Sequence, residues 1–228
     1  MHLLAEDVLL LCTDDESGAR TIDRHRLDRA LAIALILELR LLGALHLDPG
    51  DGKPRSGRLR RAHAVPLPDE LLTRAARAAE GRHTVAAILR VDGRRLGKRM
   101  TRRLVERGVL TSRRTLRGRR YPQVDARHEY AVRLGLRQVL TRQRAPDQRE
   151  TVLLTLVAGL QLAPEILPDT PADSATDAAR QLARECPVSL AWASSQDMGA
   201  RTPLSPLRDA FDALDWIGDI ATAVDIFP

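Results

Sequence analysis

The sequence predicts a mainly α-helical protein, a single globular domain with one or two short β-hairpins, and three observations carry that prediction. Leu31, Ile33, Leu35, Ile36, Leu37, Leu39, Leu41 and Leu42 form a stretch that is apolar on every side of a helix. Leu96, Met100 and Leu104 recur at a spacing of four, the helical period. Residues that start and stop helices stand at the right places, Asp23 before the first long apolar run and Gly43 and Gly108 after two of the runs. At 228 residues and 44% hydrophobic, the chain has ample material for one core.

In chain order, Leu3–Leu11 is a short apolar segment followed by the polar turn 13–18. Asp23 caps a helix from about Arg24 to Gly43, and a helix with no polar face belongs at the centre of the fold. Pro49-Gly50-Asp51-Gly52 has hairpin character, with His63-Ala-Val-Pro-Leu-Pro68 as the returning strand. Helices follow over Pro68–Glu80, Thr84–Arg90 and Arg94–Arg107. A basic excursion, Thr111–Arg120, closes at Tyr121-Pro122. Helices resume over Ala126–Gln143 and Glu150–Leu162. After a linker from Leu167, Ser174 caps another, and Ser205-Pro206 opens a last helix that buries Leu207, Phe211, Leu214 and Ile217.

Several classes are excluded. Glu6 and Asp7 interrupt the N-terminal apolar run, so no signal peptide is expected. Ala30–Leu37 stops at Glu38 and Arg40, far short of the roughly 20 apolar residues of a membrane span. Cys12 and Cys186 define no disulfide framework, which suits a reducing cytosol. Gly52-Lys53 is followed by Pro54 and is no phosphate-binding loop. The six histidines show no metal-ligand spacing on a helix, and no cofactor is expected. Glu38, a carboxylate inside the apolar helix, has no second catalytic group beside it and reads as a buried ion pair. No enzymatic activity is expected.

Charge is the strongest functional signal. The net charge is +6, and 34 of the 36 cations are arginines, a bias common in GC-rich genomes. Residues 1–50 carry a net of −4, residues 51–144 of +18 and residues 145–228 of −8. Arg94–Arg120 alone holds 12 cations against Glu106. Like charges at that density repel unless an anionic partner neutralises them. Pairing with the acidic C-terminal third is the alternative.

Leu4-Ala-Glu-Asp-Val-Leu-Leu-Leu11, the acidic turn with Gly18, Leu35-Ile-Leu-Glu-Leu-Arg-Leu-Leu-Gly43, Leu104-Val-Glu-Arg-Gly-Val-Leu110 with the hairpin after it, and the leucine-rich stretch from Arg149 to Leu162 share an order and spacing. Together they resemble the Golgi phosphoprotein 3 family over residues 2–165, with 166–228 a divergent helical C-terminal part. The resemblance implies a central buried helix bundle and a non-enzymatic adaptor role. It further implies a peripheral protein on the cytoplasmic face of a membrane, with membrane-protein clients and a basic pocket for phosphatidylinositol 4-phosphate. The arginine bias makes a bacterial member the expectation. Of four pocket positions, the tryptophan falls at Asp23, one arginine at Ala32, another at Arg94 and the last at Gly97, so Arg94 alone is kept. Arg29 and Lys98 stand at helical spacing from Ala32 and Arg94 and serve as substitutes for headgroup binding. The family's apolar hairpin is replaced by Arg113, Arg114, Arg117, Arg119 and Arg120 around Leu116, which suits contact with an anionic phospholipid surface.

Residues 84–122 also have the outline of a winged helix-turn-helix, a short helix, a turn, a basic helix and a basic hairpin. A DNA-binding regulator is therefore the competing reading. The acidic flanking thirds count against nucleic acid.

Overall fold

The computed structural model describes residues 2–15, 17–48, 58–67, 69–92, 95–116 and 118–185. Helix α1 (Leu4–Leu11) is buried along its whole length, and α2 (Arg24–Leu41) begins where Asp23 accepts a hydrogen bond from the Arg26 N–H at 2.9 Å. Every residue from Ala30 to Leu39 is buried, because α1 and the helices over Glu70–Ala79, Thr84–Asp92, Leu96–Glu106 and Gln148–Leu160 surround this one helix. Burying each leucine of α2 stabilises the fold by about 1.5–3 kcal/mol before the entropy of ordering is counted. The central position expected of it is where it stands.

Strand β1 (Leu45–Asp48) pairs antiparallel with β2 (Arg58–Arg61), Leu47 opposite Leu59. The return strand is thus 58–61 and not the expected 63–68. Leu59 is fully buried between exposed Arg58 and Arg60, the alternation a half-buried strand needs. Pro66 and Pro68, by contrast, have no N–H to give to a ladder. The turn 49–52 lies outside the described residues.

Helix α3 (Glu70–Ala79) starts at Asp69, whose side chain accepts from the Leu71 N–H at 2.8 Å. It lays Leu72, Ala75, Ala76 and Ala79 inward. Helix α4 (Thr84–Asp92) packs on α2 and α3, whereas α5 (Leu96–Glu106) packs on α1 and α2 through Leu96, Met100 and Leu104. Strands β3 (Arg113–Thr115) and β4 (Gly118–Arg120) form the second hairpin.

Helices α6 (Arg127–Leu140), α7 (Gln148–Leu160), α8 (Ala163–Ile166) and α9 (Ala172–Glu185) complete the described chain. Asp147 and Glu150 close a reciprocal cap on α7. Helix α9 starts two residues before Ser174, the expected cap. The Pro171 carbonyl accepts from the Ala175 N–H at 2.9 Å, so the first helical bond springs from Pro171 and Ser174 sits inside the first turn. The last expected helix, with Ser205, Leu207, Phe211, Leu214 and Ile217, lies outside the described residues, as does Cys186.

Candidate anion-binding surface

The basic run 94–120 divides into two parts. On α5, Arg103 Nε reaches Glu6 Oε1 at 2.8 Å and its Nη2 reaches Asp69 Oδ2 at 2.5 Å. Arg107 Nη1 bonds Glu6 Oε1 at 2.8 Å, and Arg102 pairs with Glu106 at 3.4 Å on the surface. Those three cations are neutralised within the fold, and by acids of the N-terminal half, not of the C-terminal third. Arg95 just before the helix and Lys98 and Arg99 on it form no ion pair with any described carboxylate, nor do Arg113, Arg114, Arg119 and Arg120 of the hairpin. Arg94 and Arg117 lie outside the described residues.

The hairpin register makes its charge more acute. Arg114 stands opposite Arg119 and Arg113 opposite Arg120, two like-charge pairs facing each other across the ladder. Such pairs are destabilising. A two-stranded hairpin is itself marginal in water, so its base must be held from outside. The acidic turn does this: Tyr121 N–H donates to the Gly18 carbonyl at 3.2 Å, and Gln123 N–H to the Asp15 carbonyl at 3.3 Å. Gly18 has φ +63°, and a Cβ there would lie 2.3 Å from Pro122 N, so no other residue fits. At the tip, Leu116 is completely exposed. The result is a rigidly rooted arginine hairpin crowned by one leucine.

The second basic locus is the seam between α2 and α5. Ala32, at a position aligned with the family pocket, is fully buried in the core, and Asp23 is occupied as the cap of α2. Gly97 N–H donates to Asp28 Oδ1 at 2.5 Å, which ties the two helices together. One residue further along each helix stand Arg29 and Lys98. Consecutive Cα atoms are about 3.8 Å apart, which places the two backbones, though not the two side chains, beside that bond. Lys98 is exposed and unpaired, and Arg29 is half-buried with its Nε shielded from solvent and without a hydrogen-bond partner among the described residues. Arg99 Nε is in the same state. Buried donors left unsatisfied are costly, and an anionic headgroup would satisfy them.

The model of the Golgi phosphoprotein 3 (GPP34) family matches residues 4–201. The chain belongs to this family. No curated protein matches the chain. Golgi phosphoprotein 3 proteins are non-enzymatic adaptors, and membership suggests a lipid-binding adaptor role in general. The family is one of membrane association, and no helix among the described residues is long and apolar enough to cross a membrane.

Within this Golgi phosphoprotein 3 fold, sequence reasoning missed a buried ionic network around α1. Asp7 Oδ2 accepts from Arg149 Nη2 at 2.8 Å and its other oxygen meets His128 Nε2 at 2.6 Å. Glu38 Oε1 pairs with Arg149 Nη1 at 3.2 Å, while its second oxygen accepts the Leu4 N–H at the start of α1. Glu38 is therefore the buried ion pair expected of it. Burial pushes the Glu6 carboxyl up, but bonds from Leu3 N–H, Arg103 and Arg107 outweigh it and hold Glu6 below the usual glutamate value. For Arg149 burial works against the charge, and Asp7 and Glu38 overcome it. Two acids inside an otherwise apolar segment, Glu6 and Asp7, were the available signal.

His2, Asp7 and His128 bring three ligand-type atoms within 4.8 Å of one another, a grouping no sequence spacing revealed. The His2 and His128 rings stack at 3.7 Å, and Arg107 Nη2 lies 3.4 Å from His2 Nε2. With Asp7 already bound to Arg149, the local field repels a cation. The arrangement serves packing and charge balance.

Proposed function

We propose that the chain is a peripheral membrane adaptor that binds an anionic phospholipid surface through the β3–β4 hairpin and the α2–α5 seam. The observation that carries this reading is the cross-strand register of the arginines, Arg114 opposite Arg119 and Arg113 opposite Arg120, none of the four ion-paired with a described carboxylate. A phosphate-bearing surface removes that repulsion. Each cation near an anionic leaflet contributes about 1 kcal/mol, so the four described hairpin arginines contribute about 4 kcal/mol, enough for reversible attachment. Leu116 supplies a small apolar contact at the tip. Arg29 and Lys98 are the headgroup ligands in this reading, with phosphatidylinositol 4-phosphate or another anionic headgroup as the ligand. The chain acts without catalysis, on the cytoplasmic face, and its clients are membrane proteins.

The packing favours lipid over DNA. A helix-turn-helix needs its two helices packed on each other so that one can present the second to a groove. Here α4 packs on α2 and α3, and α5 on α1 and α2.

Co-sedimentation tests the proposal, using vesicles of phosphatidylinositol 4-phosphate, cardiolipin or phosphatidylglycerol against neutral vesicles, at low and physiological salt. Wild type is compared with Arg114→Ala/Arg119→Ala and with Arg29→Ala/Lys98→Ala. Binding that falls with salt and is lost in the hairpin variant supports the surface contact. Headgroup selectivity lost in the seam variant supports the pocket. Wild type left in the supernatant with every vesicle, or binding duplex DNA in preference, discards the reading.

A further inference from the structure

His2 and His128 meet at the neck of the arginine hairpin. The hairpin leaves the body of the protein after Arg107, the C-cap of α5, and returns at Arg127, the first residue of α6. Its neck closes where the Val109 carbonyl accepts from the Val124 N–H at 2.9 Å. His2 touches both sides of that neck. Its ring stacks on the ring of His128, in the first turn of α6, with centroids 3.7 Å apart and planes 12° from parallel. Its Nε2 lies 3.4 Å from Arg107 Nη2. The His2 carbonyl accepts from Arg149 Nη2 at 2.8 Å, so the backbone under the ring is held separately from the ring itself.

These contacts dictate where the protons sit. A guanidinium only donates, so His2 Nε2 facing Arg107 carries the lone pair and its Nδ1 the proton. That Nδ1 is shielded from solvent and has no hydrogen-bond partner among the described residues, with Glu6 Oε2 standing 3.6 Å off. A second proton on His2 aims an N–H at the Arg107 guanidinium and sets like charges in contact. Of the charged groups around the two rings, α1 supplies Glu6 and Asp7, α5 supplies Arg107, the entry to α6 supplies Asp125 and Arg127, and α7 supplies Arg149. Glu6 is bound by Arg103 and Arg107, Asp7 by Arg149 and His128, and Asp125 by Arg127, so each acid is already engaged. Burial, with His128 and Arg107 beside it, holds His2 below the ordinary imidazole value of 6.5, and Glu6 and Asp7 offset only part of this.

We propose that the His2–His128 stack is an acid-released clasp across the neck of the hairpin, closed while His2 is neutral and opened when it takes a proton. The clasp stands on these contacts and does not depend on the membrane reading. An open His2 takes its proton near 6.5 and a closed one only at lower pH. Opening therefore grows by up to about tenfold per pH unit as pH falls below that value, until the closed ring titrates as well. Full-length protein tests this by amide hydrogen exchange over residues 3–7 and 107–128, corrected for the intrinsic pH dependence, at about pH 7.5 and about pH 5.5. In wild type, protection is expected to fall by at least about fivefold at the lower pH, whereas His2→Phe, which stacks but cannot titrate, is expected to hold it constant. The His2 ring protons, followed by NMR, are expected to titrate below 6.5, with a higher midpoint in Arg107→Gln. Wild-type protection that does not change with pH overturns the clasp. So does a His2→Phe variant that loses protection as wild type does, since another group then titrates. Where His2→Phe is unprotected at both pH values, the NMR midpoint decides, and a midpoint at or above 6.5 overturns the clasp. Protection at the higher pH that rises with added Zn2+ and vanishes with a chelator makes the cluster a metal site and overturns it too.

Discussion

The Gly97 N–H at the start of α5 donates to the Asp28 carboxylate of α2 at 2.5 Å, so a side chain on one helix caps another. Arg95, which precedes α5, has φ +85° and makes no side-chain cap, because a guanidinium cannot accept a hydrogen bond. Asp28→Ala is expected to lower stability by about 1–2 kcal/mol. Gly97→Arg, which puts a family pocket arginine back, brings a Cβ within 2.9 Å of Asp28 Oδ1 and lowers the melting temperature by itself. Combined with Asp28→Ala it recovers part of that loss, since the two residues are in contact. Strictly additive melting temperatures for the pair would refute the coupling.

Gly18 roots the hairpin in a left-handed conformation against the Tyr121-Pro122 backbone. Gly18→Ala is expected to cost at least about 2 kcal/mol in urea unfolding, from the unfavourable φ and the displacement of backbone atoms. The variant also loosens the hairpin, which limited proteolysis within 111–120 would register. A melting curve superimposable on wild type would contradict the close approach.

Arg149 balances Asp7 and Glu38 inside the fold. Removing it strands two buried carboxylates, so Arg149→Met is expected to destabilise by about 3–5 kcal/mol. Burial pushes the Glu38 carboxyl up, against the bonds from Leu4 N–H and Arg149, so Glu38→Gln is expected to be the milder change. Thermal unfolding of the two variants ranks them, and vesicle binding by Glu38→Gln should match wild type below its melting transition.

Glu129 is 2% exposed on α6, and burial pushes its carboxyl up to about 7 despite the guanidinium of Arg133 beside it. The folded protein therefore keeps this proton in a range where the unfolded chain has lost it. The stabilisation is fully present below the ordinary glutamate value of 4.5 and falls away as pH rises through about 7. Glu129→Gln, which stays neutral, is expected to flatten that fall and to melt higher than wild type at about pH 8. A wild-type melting temperature that rises steadily between about pH 5 and pH 8, with the variant parallel to it, would contradict the assignment.

Much of the fold was legible because period and punctuation agree. Leu31, Leu35 and Leu39 specify a helix buried all round, and Asp23 marks its start within one residue. The return strand was misplaced because His63–Leu67 carries an apolar pattern as good as that of 58–61. Only Leu59, fully buried beneath α3 and α4, shows which segment has an inner face. Of the site, the arginines of 113–120 were legible as a hairpin, whereas their cross-strand facing is a matter of register. The roles of Arg103 and Arg107 were not visible, because Glu6 lies about a hundred residues away in the chain.

By itself, then, the sequence determined the helical class, the central place of 24–43 and the concentration of positive charge in 94–120, all properties of local pattern and composition. Only the tertiary structure decided which of those charges are spent inside the fold and which remain for a partner. Arg103 and Arg107 reach Glu6 while Arg114 faces Arg119, and the difference is physical. Ion pairing depends on distance in space and on burial, and neither can be read from the spacing of residues along a chain.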